Sequence, residues 1–418
     1  MIELVLASQV LADIIENDIS FKKALRKAFP SNKNSDVSKT VSALVGCELR
    51  HHFMYEESLK RLDIEVTNQE KYLIFLCASN RFFLKRLDSE KVSEYMHSVF
   101  EKEKLDYLIT AIDTSGSFAD AVPVRKDSID YVGLRFNTPK WLIKMWSKHY
   151  GRGVAFKILK KNSKQIVATY RSNEILDSME GFDGEIEDFE QTKVRGVYRY
   201  IGTKPIHSNP LIQNNELVPL RPIYKDIVDR FQNDLTQEVS IYSGADDSLF
   251  RELLIRSKGK LGINVVVPKL GERAEILRQI RLSNYKTVNL FEAKDEIGFK
   301  TGISHKQDVF YVFPKSSSFD KIRVYPDYLI HFKQQYIDSF IAEQKSSLET
   351  SSKFVNDGGL LIYLVDTLNI KETTAIINDF LAKHEEFELV EDKQLFPFNE
   401  EDIALYYAVL RMREKSND

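Results

Sequence analysis

Cysteine is nearly absent, with two in 418 residues, Cys47 and Cys77. That scarcity excludes a disulfide framework and a thiolate-rich zinc site. Histidine is sparse too, and none of the eight falls at metal-ligand spacing. The neighbouring pair His51-His52 points to different faces of a helix. No apolar run approaches the roughly 20 residues that a membrane span needs. The amino terminus, MIELVLASQVLADIIENDISFKK, carries Glu3 and no basic stretch ahead of its apolar part, so it does not read as a signal peptide. There is no internal repeat, and no low-complexity tract longer than KSSS at Lys315–Ser318. These absences lead us to expect a cytoplasmic protein, monomeric by default, with no structural metal. A net charge of −3 argues against a surface that coats nucleic acid throughout, yet it leaves room for a local basic patch.

What is present is an ordinary balance of 43% apolar and 29% charged residues, in a chain long enough for two or three domains. Residues 1 to about 130 repeat apolar positions every three or four residues, as in VSKTVSALVGCELRHHFMYEESLKRL and EKYLIFLCASNRFFLKRL. This predicts a bundle of about six short helices, capped at Asn68 and Ser89, with Phe82, Phe83 and Tyr95 in its core.

The character changes at FNTPKWLIKMWSKHYGRGVAFKILKKNSKQIVATYR (Phe136–Arg171). From Lys140 to Arg171 there are nine Lys or Arg and no acid, and both tryptophans, Trp141 and Trp146, lie inside. Thr138-Pro139 fits an N-cap followed by proline. Lys140, Lys144 and Lys148 then form a stripe beside Trp141, Ile143 and Met145. Gly151 and Gly153 end this helix, and AFKILKKNSKQIVATYR reads as two strands around Asn162-Ser163. Clustered cations of this kind release counterions from a phosphate backbone. Lys140, Trp141, Lys144, Lys148, Arg152, Lys157, Lys160, Lys161 and Lys164 are therefore candidate RNA contacts. The competing reading pairs them with the acid run Glu174–Glu190, which has eight acids and no base.

From about Asn233 strands and helices alternate. EVSIYSG, GINVVVPKL, KTVNLFEA and the nearly continuous apolar DVFYVFP are strands; DSLFRELLIRS and AEILRQIRLSNY are helices. A helix from about Asp327 to Thr350 precedes NDGGLLIYLVDTLNIKETTAIINDFL, read as an Asp-Gly turn, a buried strand, a polar stop at Asp366-Thr367 and a helix. EFELVEDKQLFPF and DIALYYAVLRM close the chain as an antiparallel pair. The pattern predicts a parallel sheet with helices on both faces.

The order of these parts resembles, end to end, the RsmB (Sun/NOP) family of RNA 5-methylcytosine methyltransferases. LRFNTPKWLIKMWSKHYG is similar to the opening of that family's RNA-binding part. KIRVYPDYLIHF resembles its Arg-x-x-Pro-Asp run, with Pro326 and Asp327 in place, and GGLLIYLVDTLNIKETTAIINDFLAKHEEFELV resembles its final strand, loop and helix. The resemblance implies a multidomain chain: an all-α NusB-like domain at 1–130, a small α+β RNA-binding domain at 131–228, and a Rossmann-type class I methyltransferase domain at 229–418. It also implies S-adenosylmethionine as methyl donor and ribosomal RNA as partner.

The chemistry positions depart from the family. Where it has a nucleophilic cysteine in a Tyr-Ser-Thr-Cys-like string, YLVDTLN has Asp366, and a carboxylate is a far poorer nucleophile toward a ring carbon. At the family's second cysteine, FPKSSS has Ser316. The first cofactor loop keeps only Gly244 in IYSGADDSLF, the adjacent acids Asp246 and Asp247 would repel the methionine carboxylate, and Glu292 is the remaining acid positioned for the adenine side. Asp366 is expected to bond nearby backbone amides as a turn residue, and PKSSSFD to be a flexible loop. The reading is an RNA-binding protein without catalysis. The alternatives are an active S-adenosylmethionine-dependent RNA methyltransferase with a diverged site, or a protein-interaction role for the helical part.

Overall fold

The computed structural model describes residues 1–30, 35–61, 65–106, 124–125, 128–164, 166–182 and 184–414. The chain forms two compact units. One comprises Met1–Lys164 with Lys321–Lys333; the other comprises Gln165–Asp320 with Gln334–Asp418. A short stretch from late in the chain thus belongs to the first unit.

The first unit begins with six helices, Ile2–Ile15, Phe21–Ala28, Asp36–Leu49, His52–Arg61, Asn68–Ser79 and Ser89–Val99. Their apolar stripes meet in a core that includes Leu4, Leu11, Leu44, Tyr55 and Phe75. Each cap sits one residue ahead of its expected place. Thr67 and Glu70 close a reciprocal capping box, and Asp88 accepts from the amides of Glu90 and Lys91. His52 is buried against Glu48, with Nδ1 2.7 Å from Oε1. Phe83 departs from its expected core position: it is 48% exposed and stacks on His51 at 3.9 Å.

Helices Ile129–Arg135, Lys140–Tyr150 and Arg152–Asn162 follow. Pro139 rather than Thr138 is the N-cap of the second, and its buried side chains are Leu142, Ile143 and Trp146. Trp141 is half-buried and stacks on Phe332, with ring centroids 6.0 Å apart. Gly151, at φ 81°, takes the conformation that ends one helix and opens the next. The two strands expected here are instead the helix Arg152–Asn162, which buries Ala155, Ile158 and Leu159 at three- and one-residue steps along a single face.

The returning segment completes this unit. Asp327 accepts from the Phe21 amide at 2.8 Å, satisfying the first donor of the helix Phe21–Ala28 where a negative charge is favoured. His331 bonds Asp18 at 2.7 Å. The single helix expected from Asp327 to Thr350 is two, Tyr328–His331 and Tyr336–Ser352, interrupted where the chain leaves this unit.

The second unit carries two sheets. Strands β1 (Thr169–Ser172), β2 (Phe189–Gln191), β3 (Val197–Tyr200) and β4 (Leu217–Pro219) pair antiparallel in the order β2-β3-β1-β4. Arg171 on β1 is buried between Glu174 and Glu252, at 2.6 and 3.2 Å. The larger sheet holds β5 (Glu238–Ser243), β6 (Gly262–Val267), β7 (Val288–Glu292), β8 (Gln307–Phe313), β9 (Val355–Val365), β10 (Phe387–Leu395) and β11 (Leu405–Met412), in the order β10-β11-β9-β8-β5-β6-β7. β5 to β9 run parallel and β11 is antiparallel to both neighbours. Leu360 to Val365 are all buried, each contributing about 1.5–3 kcal/mol relative to exposure. The Asp-Gly expected as a turn lies within β9, where Gly358 at φ 78° accompanies a register shift against β8. Strand order reverses between β5 and β8, so the loops after β5, β8 and β9 open at a topological switch point, the place where this architecture gathers ligands. Among the described residues no helix is long and apolar enough to cross a membrane.

Candidate functional site

The loop after β8 and the end of β9 bring together Ser316 and Asp366, the two residues expected at the nucleophile positions of the resembled family. Ser316 Oγ donates to Asp366 Oδ1 at 2.5 Å, and Ser318 Oγ donates to the same oxygen at 2.9 Å. Asp366 thus binds serine hydroxyls, not the backbone amides expected of a turn residue. Beside it Ser317 donates through Oγ and its amide to Glu372, which also accepts from Gln344 and Asn369. Burial pushes the Glu372 carboxyl above its ordinary value, against hydrogen bonds that favour its charge. Ser316, Ser317 and Ser318 are all buried. The expected flexible loop is a pinned one, because two buried carboxylates take up its hydroxyls. Lys315 points to other work: its Nζ lies 3.1 Å from Glu272 and its amide donates to Glu343.

The loop after β5 is equally committed. A Cβ placed on Gly244 would stand 2.7 Å from Glu343 Oε1 and 2.9 Å from both the Lys315 nitrogen and Pro314 Cα. The glycine therefore admits the loop after β8. Arg273 is buried and donates to the carbonyls of Gly244 and Ala245. Asp247 lies 3.6 Å from that guanidinium; burial pushes its carboxyl up to about 6, partly offset by Arg273. Glu292 accepts from the Leu270 amide at 2.9 Å.

In the first unit the basic segment is spread over two helices and the turn after them. Lys140 lies 2.9 Å from Asp130 and 3.6 Å from Glu57, so its charge is already balanced. Lys144, Lys148, Arg152, Lys160 and Lys164 are exposed and pair with no acid among the described residues. Lys157 is exposed and Lys161 half-buried. Arg152, Phe156 and Lys160 follow at four-residue steps and share a helix face. Phe156 is exposed and meets the Phe136 ring edge-on. In the acid run, Glu174 and Glu180 pair with Lys258, Glu174 also with Arg171, and Glu190 with Arg199.

No family model matches the chain. The chain is 23% identical over 420 residues to the probable ribosomal RNA small subunit methyltransferase B of Bacillus subtilis (strain 168), covering 92% of this chain and 89% of that protein. The chain thus resembles an RsmB-type rRNA methyltransferase over most of its length. The fold agrees. The crystal structure of PH0851 matches over 99% of both chains with a TM-score of 0.74 at 14% identity. A methyltransferase homolog protein from Pyrococcus horikoshii matches 68% of this chain and 99% of its own, with a TM-score of 0.56 at 14% identity. NSun6 from Pyrococcus horikoshii, solved with SFG, matches 66% of this chain and 99% of its own, with a TM-score of 0.54 at 12% identity.

Of the residues singled out in the sequence, the structure brings Ser316 and Asp366 into contact, and leaves Gly244 and Glu292 in separate local networks. Three residues of these networks went unread in the sequence. Arg273, Glu343 and Glu372 sit in ordinary amphipathic or turn surroundings, and only the fold turns them toward the loops they hold. The pair Glu272-Arg273 after β6 carried no spacing signal that separated the buried arginine from its exposed neighbour.

Proposed function

We propose that this chain is a catalytically inactive RNA-binding relative of the rRNA methyltransferases, acting on ribosomal RNA during ribosome assembly. The observation that carries this reading is the bond between Ser316 and Asp366: both nucleophile positions are occupied by hydroxyl and carboxylate groups that bind each other. Neither supplies a thiolate, and the cysteines of the chain, Cys47 and Cys77, lie in the helical unit with burial pushing their thiols up to about 11 and about 12. The residues present also fit S-adenosylmethionine poorly. Arg273 holds the loop carbonyls, the packing around Gly244 is used by the chain itself, and Asp247 would meet the methionine carboxylate with a like charge. RNA binding rests on the five exposed cations of Lys144–Lys164 that pair with no acid among the described residues.

The test has two arms. Calorimetric titration of the folded chain with S-adenosylmethionine is expected to give no saturable heat, and incubation with small-subunit rRNA and labelled donor no incorporated methyl group. Saturable binding with methyl transfer would establish the active-enzyme alternative. In the second arm, the triple charge reversal Lys144→Glu, Lys148→Glu and Lys160→Glu should abolish RNA binding at moderate salt. Unchanged binding would remove the RNA surface and leave the protein-interaction reading.

A further inference from the structure

We propose that the helical unit holds a base-stacking cleft, separate from the loops of the methyltransferase-like unit, that takes an unpaired nucleotide of single-stranded RNA. The inference rests on the RNA reading above and names where sequence-tolerant base contact is made. The cleft has a volume of about 160 Å³ and lies where the junction of helices Asp36–Leu49 and His52–Arg61, the end of helix Arg152–Asn162 and the returning segment meet. Arg50, His51, Arg135, Asn162, Ser163 and Tyr325 line it, and no acid does. Arg50 and Arg135 are exposed and pair with no acid among the described residues.

The cleft lining carries aromatic rings, His51 and Tyr325 among them, and Phe83, outside the lining, backs His51. His51 lies flat on Phe83, at 3.9 Å with 12° between the rings. Burial holds the His51 pKa below its ordinary value, partly offset by its bond to the Cys47 carbonyl at 2.8 Å. The neutral ring donates from Nδ1 to that carbonyl, which leaves Nε2 as an acceptor. Tyr325 is 50% exposed on the opposite side of the sequence, in the returning segment. Flat rings with arginines in a cleft whose lining holds no acid match a ligand that alternates flat bases with phosphates, which is a single strand. Position supports the same occupant. Ser163 and Asn162 end the helix that carries Arg152 and Lys160, and Arg323 holds the Lys164 carbonyl beside them at 3.5 Å. The cleft therefore lies at the end of the unpaired cations, so a strand tracking those cations is led to it.

The experiment is fluorescence anisotropy with the full chain and three labelled probes: a short single-stranded RNA, the same sequence as a duplex, and an abasic ribose-phosphate strand. Tyr325→Ala should weaken the base-bearing single strand about fivefold or more and leave the abasic strand unchanged. Arg135→Gln, on an exposed side chain, should weaken both single strands and lower the slope of log K against log salt by about 0.7. Phe83→Leu, which removes the ring behind His51 rather than one in the cleft, should weaken the base-bearing strand less than Tyr325→Ala and leave the abasic strand unchanged. If all three variants match wild type while reversal of Lys144, Lys148 and Lys160 abolishes binding, the cleft is overturned and the RNA reading stands. If the wild-type chain binds none of the probes, both fall together. Equal binding of abasic and base-bearing strands would likewise overturn the cleft.

Discussion

Replacing Asp366 by alanine tests whether its bonds to the serine loop help hold the larger unit together. The side chain accepts two hydroxyl donors, Ser316 at 2.5 Å and Ser318 at 2.9 Å, on a carboxylate that is 5% exposed. Hydrogen bonds to a charged group contribute about 1.5–3 kcal/mol each, so the pair amounts to about 3–6 kcal/mol before other effects. Removing a buried charge returns part of that, since its desolvation cost is lost too, while two hydroxyls are left without their acceptor. A net destabilisation of about 3 kcal/mol is expected. Asp366→Asn keeps one acceptor oxygen and should cost about half as much. Both tryptophans lie in the helical unit, so urea unfolding can be followed in two ways. Far-UV circular dichroism reports the whole chain, and tryptophan fluorescence reports the helical unit alone. The Asp366→Ala variant should shift the dichroism transition to lower urea and leave the fluorescence transition in place. A variant within about 0.5 kcal/mol of wild type would show that the serine network is incidental, and would refute the structural role assigned to Asp366.

Four further outcomes follow. On the proposed reading, Asp366→Cys, which supplies a thiol at the proposed nucleophile position, should still yield no methylated cytosine in nucleosides digested from treated rRNA and read by mass spectrometry, because Arg273 continues to hold the carbonyls of the loop after β5. Lys140→Gln should change RNA affinity little beside Lys144→Gln, since Lys140 already pairs with Asp130 and Glu57; filter binding compares the two. Gly196→Ala forces a Cβ to 2.8 Å from the buried Arg171 guanidinium at φ 71°, and a loss of more than about 1 kcal/mol is expected by thermal melting. For His52, burial opposes the charge, but Glu48 and Glu56 outweigh it and raise the pKa. Its charged pair therefore stabilises fully below the unfolded value of about 6.5 and fades as pH rises through the higher folded value. Fluorescence-detected unfolding should weaken over that rise in wild type and stay flatter in His52→Gln.

The large sheet was legible because a strand buried on both faces, such as DVFYVFP, leaves an unbroken apolar record, and helices between such strands keep their period. The helix Arg152–Asn162 was not, because a glycine pair and a run of Phe, Ile and Leu suit a strand as well as a helix until Ala155, Ile158 and Leu159 are seen to share one buried face. Phe83 was assigned to the core on hydrophobicity alone, and only the neighbouring His51 ring explains its place at the surface. The serine cluster misled for the opposite reason: three small polar residues read as solvent-exposed unless the carboxylates that meet them, 50 and 55 residues further on, are known. The scarcity of thiols was plain from composition, while the bond between Ser316 and Asp366 needed the fold.

The return of Lys321–Lys333 to the helical unit has a consequence for how such a chain can be shortened. No single stop codon or internal start site separates a complete helical unit from the rest. A chain halted after Lys164 loses Asp327 and with it the acceptor for the Phe21 amide, as well as His331 and Phe332. A gene encoding the whole helical unit must also encode the strands that lie between Lys164 and Lys321 in the chain, because thirteen residues of that unit follow them. Substitution can change the larger unit one side chain at a time, but truncation cannot remove that unit without also removing residues that complete the helical one.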